Sequence, residues 1–168
     1  MAKSYRVKLE KEHLIFSAAH FITFAGNVCE RLHGHNYRVS AEVQAPLDGN
    51  QYVIDFIALR DTLKEITEAL DHHVLLPISH EQIQVTPDDK EVLVTFEERR
   101  WIFPIDDCVL LPVSNTTAEL LADYIATELL KRLSGKGITQ IEKLEIGVDE
   151  NEGQWAVVTR TGDDLKLS

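Results

Sequence analysis

In the N-terminal part of the chain, apolar and polar residues alternate with the period of two expected of half-buried strands. Residues 5–10 and 13–20 read as two strands of an antiparallel pair, with Lys11-Glu12 near the turn. In the second, Phe16, Ala18 and His20 share one face. Residues 21–28 read as a loop turning at Gly26-Asn27, and Cys29 stands at its end. The next strand spans residues 33–44 and aligns His33, His35, Tyr37, Val39, Ala41 and Val43 on one face. Pro46 and Asp48-Gly49-Asn50 mark a turn, and residues 51–54 read as a short strand.

The period then lengthens. After Asp55, a good N-cap, Phe56, Leu59, Leu63, Ile66 and Leu70 recur at three and four and predict an amphipathic helix. It ends at Asp71-His72-His73, and Pro77 prevents its continuation. Short strands at 81–86, 91–96 and 99–103 suggest a small β-meander within a polar insert, residues 79–111, at an edge or rim. A second helix opens at Asn115-Thr116-Thr117-Ala118-Glu119, where Thr116 and Glu119 have capping-box spacing. Leu121, Ile125, Leu129 and Leu133 form its buried stripe, and the helix stops at residues 134–137 on glycine. A hairpin of residues 140–149 and 154–161 closes the chain. Leu144, Ile146, Val148 and Glu150 share one face of its first strand, so a carboxylate ends an apolar row. The order β-β-β-α, insert, α-β-β predicts an α+β domain with two helices on one face of an antiparallel sheet.

Composition changes little in this picture. The 168 residues suffice for one domain, residues 1–168, and the apolar share of 44% is that of an ordinary globular protein. A net charge of −11 argues against a nucleic-acid binder, though a small anionic substrate in a local basic pocket remains compatible. There is no signal-peptide pattern and no apolar run of membrane-spanning length. Two cysteines make no disulfide framework and suit a reducing cytoplasm.

The candidate chemistry gathers around Cys29-Glu30-Arg31-Leu32-His33-Gly34-His35. His33 and His35, two apart on a strand, project from one face, and His20 joins them if its strand pairs alongside. Three imidazoles with an open position suit catalytic zinc; the alternative is hydrogen-bonded sheet histidines. Cys29 stands beside Arg31, and a cation favours thiolate. Base, nucleophile, fourth zinc ligand and inert thiol all fit its spacing. Asp71-His72 can set a tautomer or simply cap a helix. Glu150 can accept two N–H donors from a heterocycle edge or face solvent. His13 and His80 read as surface residues, and Cys108 as bland.

Together these segments resemble the 6-pyruvoyl-tetrahydropterin synthase family, and within it the bacterial 6-carboxy-5,6,7,8-tetrahydropterin synthases of queuosine biosynthesis. The matching pieces are Phe16-Ser17-Ala18-Ala19-His20, the block from Cys29 through His33-Gly34-His35-Asn36-Tyr37, Val53-Ile54-Asp55-Phe56, Leu70-Asp71-His72-His73, Asn115-Thr116-Thr117-Ala118-Glu119 and Val148-Asp149-Glu150. The resemblance implies a T-fold assembling as a homo-oligomer, trimer or hexamer, with active sites between subunits. It implies Zn(2+) on His20, His33 and His35, catalytic Cys29 assisted by Asp71 and His72, and substrate binding by Glu150, Thr116 and Thr117. The implied reaction converts 7,8-dihydroneopterin triphosphate to 6-carboxy-5,6,7,8-tetrahydropterin, with release of acetaldehyde and triphosphate. The alternatives are the pyruvoyl-type synthase, which keeps the carbon skeleton, and a non-catalytic pterin-binding T-fold protein. The short gap from Cys29 to His33 points to the carboxy type. A folate-related branch carries glutamate directly before His-Gly-His, where this chain has Leu32 and displaces Glu30 by two.

Overall fold

The computed structural model describes residues 3–166. The N-terminal alternation folds as one long strand, β1 (Arg6–His20), instead of the expected pair with a turn at Lys11-Glu12. Its partner is β4 (His33–Gln44), reached through a tiny hairpin of β2 (Thr23–Phe24) and β3 (Val28–Cys29) where a plain loop was expected. The break in the pattern is a bulge. Glu10 faces Ser40 and Ile15 faces Arg38, so five steps along β1 against two along β4 leave three extra residues. An odd excess exchanges the faces: Leu9 is buried before the bulge, and Phe16, Ala18 and His20 after it, with Leu14 buried within it.

Helix α1 (Phe56–Leu70) begins where Asp55 accepts a 2.8 Å hydrogen bond from the Ile57 N–H. The residues before it form bends, not the expected strand at 51–54. Leu59, Leu63, Ile66 and Leu70 are buried, but Phe56 is 51% exposed. Its angle on the helix fits the stripe, yet no layer covers the first turn, and Tyr52 and Ile57 are exposed beside it.

Between the helices run β5 (His73–Pro77), β6 (Gln84–Pro87), β7 (Glu91–Phe96), β8 (Arg99–Pro104) and β9 (Cys108–Leu111). Strands β6–β8 form the expected meander as a separate three-stranded sheet. Residues 108–111, expected within the insert, instead pair with β5 in the main sheet. The meander has its own core of Ile83, Val92, Val94 and Phe96, shared with Phe21 and Leu76 of the main body.

Helix α2 (Ala118–Gly135) is capped by Thr117, whose side chain accepts from the Leu120 N–H, one residue later than the spacing of Thr116 and Glu119 suggests. Thr116 is buried instead. Leu121, Ile125, Leu129 and Leu133 bury as predicted. The closing hairpin is β10 (Lys143–Asp149) and β11 (Trp155–Thr161). The main sheet runs β11-β10-β4-β1-β5-β9. Its first three pairings are antiparallel, whereas β5 lies parallel to β1 and β9 parallel to β5, so the sheet is mixed, not wholly antiparallel. Both helices pack on one face against a single core that includes Phe16, Tyr37, Val39, Leu144 and Ile146. The result is the α+β T-fold.

Leu63→Ala should cost about 2–5 kcal/mol of stability, because a fully buried side chain leaves a cavity. Phe56→Ala, on the same stripe by sequence, should stay within about 0.5 kcal/mol. Chemical denaturation of the two variants checks the difference; equal losses would contradict the exposure of the first turn.

Candidate metal centre and proton-transfer groups

The register of β1 and β4 places His20 opposite His33 and Ala18 opposite His35. The rings of His20, His33 and His35 pack edge to face, with centroids 4.8–5.3 Å apart. One nitrogen from each lies within 4.8 Å of the others, so the three could hold a metal ion. Gly34 permits the strands to come this close: a Cβ there would sit 3.1 Å from the Ala18 carbonyl oxygen.

The backbone assigns the tautomers. His20 Nδ1–H donates to the Thr116 carbonyl at 2.8 Å, and His33 Nδ1–H donates to the Arg31 carbonyl at 2.8 Å. Each leaves Nε2 with a free lone pair, as metal-binding imidazoles require. His20 Nε2 is buried and has no hydrogen-bond partner. An orphaned buried acceptor costs about 1–3 kcal/mol, which a bound cation would offset. Burial holds the His20 pKa down to about 4, against the opposing pull of the Thr116 carbonyl, so the ring is neutral near pH 7. The donor set therefore fits a metal.

Glu150 reaches the same place. Its Oε1 lies 3.5 Å from His20 Nε2 and 3.7 Å from His35 Nε2, so it faces the cluster and not bulk solvent. Buried Asp149 fixes the turn that carries Glu150 by accepting from the Gly153 and Gln154 N–H groups. Tyr37, aligned by sequence on the face of His33 and His35, supports the cluster edge-on to His20 and His35 and stacked on Phe16. Thr116 contributes its carbonyl to His20 and its hydroxyl to the Phe21 carbonyl.

Cys29 lies half-buried at the end of β3, its thiol donating to the Glu30 carbonyl at 3.6 Å. Burial raises its pKa, and the cation that pulls it down is Arg99, not the expected Arg31; Glu30 adds to the rise. Arg99 donates to the Cys29 carbonyl at 2.7 Å and the Glu30 carbonyl at 3.0 Å. No local sequence signal joins Arg99 to Cys29, which lies 70 residues earlier. Glu30, to which spacing assigned no role, borders the cluster, its Oε2 3.9 Å from His33 Nε2.

Asp71 and His72 form a pair, with His72 Nδ1–H donating to Asp71 Oδ2 at 2.8 Å. Ser17 holds both: its N–H donates to Asp71 Oδ1, and its carbonyl accepts from the His72 N–H. These bonds keep His72 in the left-handed region at φ 59°. They also hold the Asp71 carboxyl below its usual range, the Ser17 N–H first and His72 after burial's opposing effect. The His72 side chain is 82% exposed. A cavity of about 540 Å³ beside it is lined by Ser17, Asn36, His35, His73 and Asp107 among others. His80, expected at the surface, is half-buried; its Nδ1 accepts from the Gln82 and Ile83 N–H groups while Nε2–H donates to Thr23.

Comparison with known proteins identifies the family. The family model for 6-pyruvoyl tetrahydropterin synthase matches residues 8–161. A Methanocaldococcus jannaschii protein provisionally named 6-carboxy-5,6,7,8-tetrahydropterin synthase is 37% identical over 144 residues, 85% of this chain and 88% of that one. The structure of Plasmodium falciparum 6-pyruvoyl tetrahydropterin synthase superposes with a TM-score of 0.88 at 31% identity, covering 96% of this chain and all of that one. The Plasmodium vivax enzyme gives the same TM-score and coverage at 29% identity, in a form whose glutamate-to-alanine change is described as a catalytic residue mutant. The chain belongs to the 6-pyruvoyl tetrahydropterin synthase family.

Proposed function

We propose that this protein is a zinc-dependent lyase that converts 7,8-dihydroneopterin triphosphate to 6-carboxy-5,6,7,8-tetrahydropterin, releasing acetaldehyde and triphosphate. The observation that carries the reading is the convergence of His20, His33 and His35, with the tautomers of His20 and His33 fixed by backbone carbonyls and an orphaned, buried Nε2 on His20. Zinc held there would polarise the side-chain hydroxyls of the substrate and acidify the adjacent carbon-bound proton. Glu150, aimed at the cluster, would accept the two N–H donors of the guanidine-like pterin edge and so seat the ring beside it. Thr117 would border that pocket, while Thr116, itself buried, would act through the carbonyl that orients His20.

Cys29, whose thiol burial biases toward its protonated form, would exchange protons on one side of the substrate side chain. Asp71-oriented His72 would do so on the other. Its exposed ring suits a site shared between subunits, to which one chain brings the metal and Cys29 and its neighbour brings the dyad. The two free cysteines suit a reducing cytoplasm; among the described residues no helix is long and apolar enough to cross a membrane.

Two observations favour variants of this chemistry. The solved relatives named above are 6-pyruvoyl tetrahydropterin synthases, so retention of the carbon skeleton is the second reading of the product. Glu30, whose Oε2 lies 3.9 Å from His33 Nε2, is a second candidate proton carrier.

Incubating the zinc-loaded protein with 7,8-dihydroneopterin triphosphate should release triphosphate and acetaldehyde. Triphosphate without acetaldehyde assigns the pyruvoyl type, and neither product removes the lyase reading. Cys29→Ala should lower kcat by about 10²–10⁴-fold, and a larger loss in Glu30→Gln than in Cys29→Ala would transfer the role to the carboxylate.

Asp71 makes a pH-dependent contribution whose sign follows from its depressed folded pKa. Such stability is present above the ordinary carboxylate pKa and lost as pH falls through the lower folded value. Asp71→Asn should therefore be less stable than wild type at pH 7, with the gap closing below about pH 4. Denaturation midpoints across pH check this, and a constant gap would contradict it.

A further inference from the structure

The meander reaches the candidate site through one side chain. Arg99, at the start of β8, spreads its guanidinium across two successive carbonyls, Nη1–H to Cys29 at 2.7 Å and Nη2–H to Glu30 at 3.0 Å. The next carbonyl, that of Arg31, accepts the Nδ1–H of His33. Three consecutive carbonyls thus divide between a clamp from the meander and a histidine of the metal cluster. Arg99 is itself fixed, its guanidinium 4.6 Å above the Trp101 ring, which stacks on Phe21 at 4.6 Å and 16°. Phe21 is buried and directly follows His20. On the opposite side the segment is tied by the Glu30 N–H to the Ile22 carbonyl, so Arg99 completes its fixation.

The geometry points to Arg99 as a positioning residue: its two-carbonyl clamp on residues 29–30 sets the place of the Cys29 thiol and, through the Arg31 carbonyl, the orientation of His33 toward the metal. The meander thereby supplies the site with a brace. A planar fork is required because two acceptors on adjacent residues are held at once. Lysine can keep the charge but presents its donors from a single nitrogen, without the planar fork. The inference rests on the proposed metal site, and its Cys29 arm rests on the proposed lyase reaction.

The test uses the full chain and zinc itself. Zinc affinity is measured by competition with a chromophoric chelator for wild type, Arg99→Met, Arg99→Lys and, as control, Arg100→Met on the exposed neighbour. Both Arg99 variants should bind zinc about 10- to 100-fold more weakly, as when a ligand loses its orienting partner, while Arg100→Met matches wild type. In steady-state triphosphate release, both should lose about 10- to 100-fold in kcat with KM within about twofold, the pattern of misplaced reacting groups. Should Arg99→Met fail to fold, Arg99→Lys decides. Wild-type affinity and kcat in Arg99→Lys would overturn the inference, as would equal losses in Arg100→Met. A loss of zinc affinity in a protein whose wild type turns over no pterin would support the brace and reject the lyase reading, so the two failures are distinguishable.

Discussion

The site depends on the pairing of β1 with β4. His20 stands across from His33, with His35 two residues further along on the same face, only because the two strands are in this register. A shift by one residue would turn the imidazoles of one strand away from those of the other. The bulge before Ile15 makes the register compatible with a continuous core, since its three extra residues move the buried positions from one parity to the other. Leu9 and Phe16 can then face the same helices from a single strand. Gly34 completes the arrangement by leaving the Ala18 carbonyl room against the strand that carries two of the three histidines.

Around that pairing, the polar groups are settled by backbone more than by side chains. Carbonyls of Thr116 and Arg31 assign the histidine tautomers, Ser17 holds the Asp71-His72 pair with both of its main-chain groups, and turn N–H groups hold Asp149. Backbone partners are fixed by the fold before any ligand arrives. The cluster is therefore organised in advance, the condition under which a cation finds its donors at little reorganisation cost. The exception is His20 Nε2, buried with its lone pair unused.

Much of this was legible in the chain. Period-two alternation aligned His20 with Phe16 and His33 with His35, and the α1 and α2 stripes bury as the spacing required, apart from Phe56. What alternation could not show was continuity: a bulged strand and a hairpin have the same local pattern, so residues 6–20 read as two strands. Nor does local sequence record which strand lies beside which. The parallel placements of β5 and β9 come from pairing across long separations. The same limit hid Arg99, whose acceptors lie in another part of the chain, and misread His80, whose ring caps the N–H groups of Gln82 and Ile83. Thr116 and Thr117 were separated only by the cap geometry.

The placement of β9 gives the meander a topological duty. Adjacent parallel strands cannot be joined by a tight turn; the chain must travel back along their whole length before starting again. Residues 78–107 make that return between β5 and β9, and the three small strands are how they do so. The excursion is thus an obligatory bridge and not an ornament hung on the sheet. Shortening it to a few residues would leave the edge either reversed in direction or unpaired. Its length is free to drift only above the minimum that the return path demands.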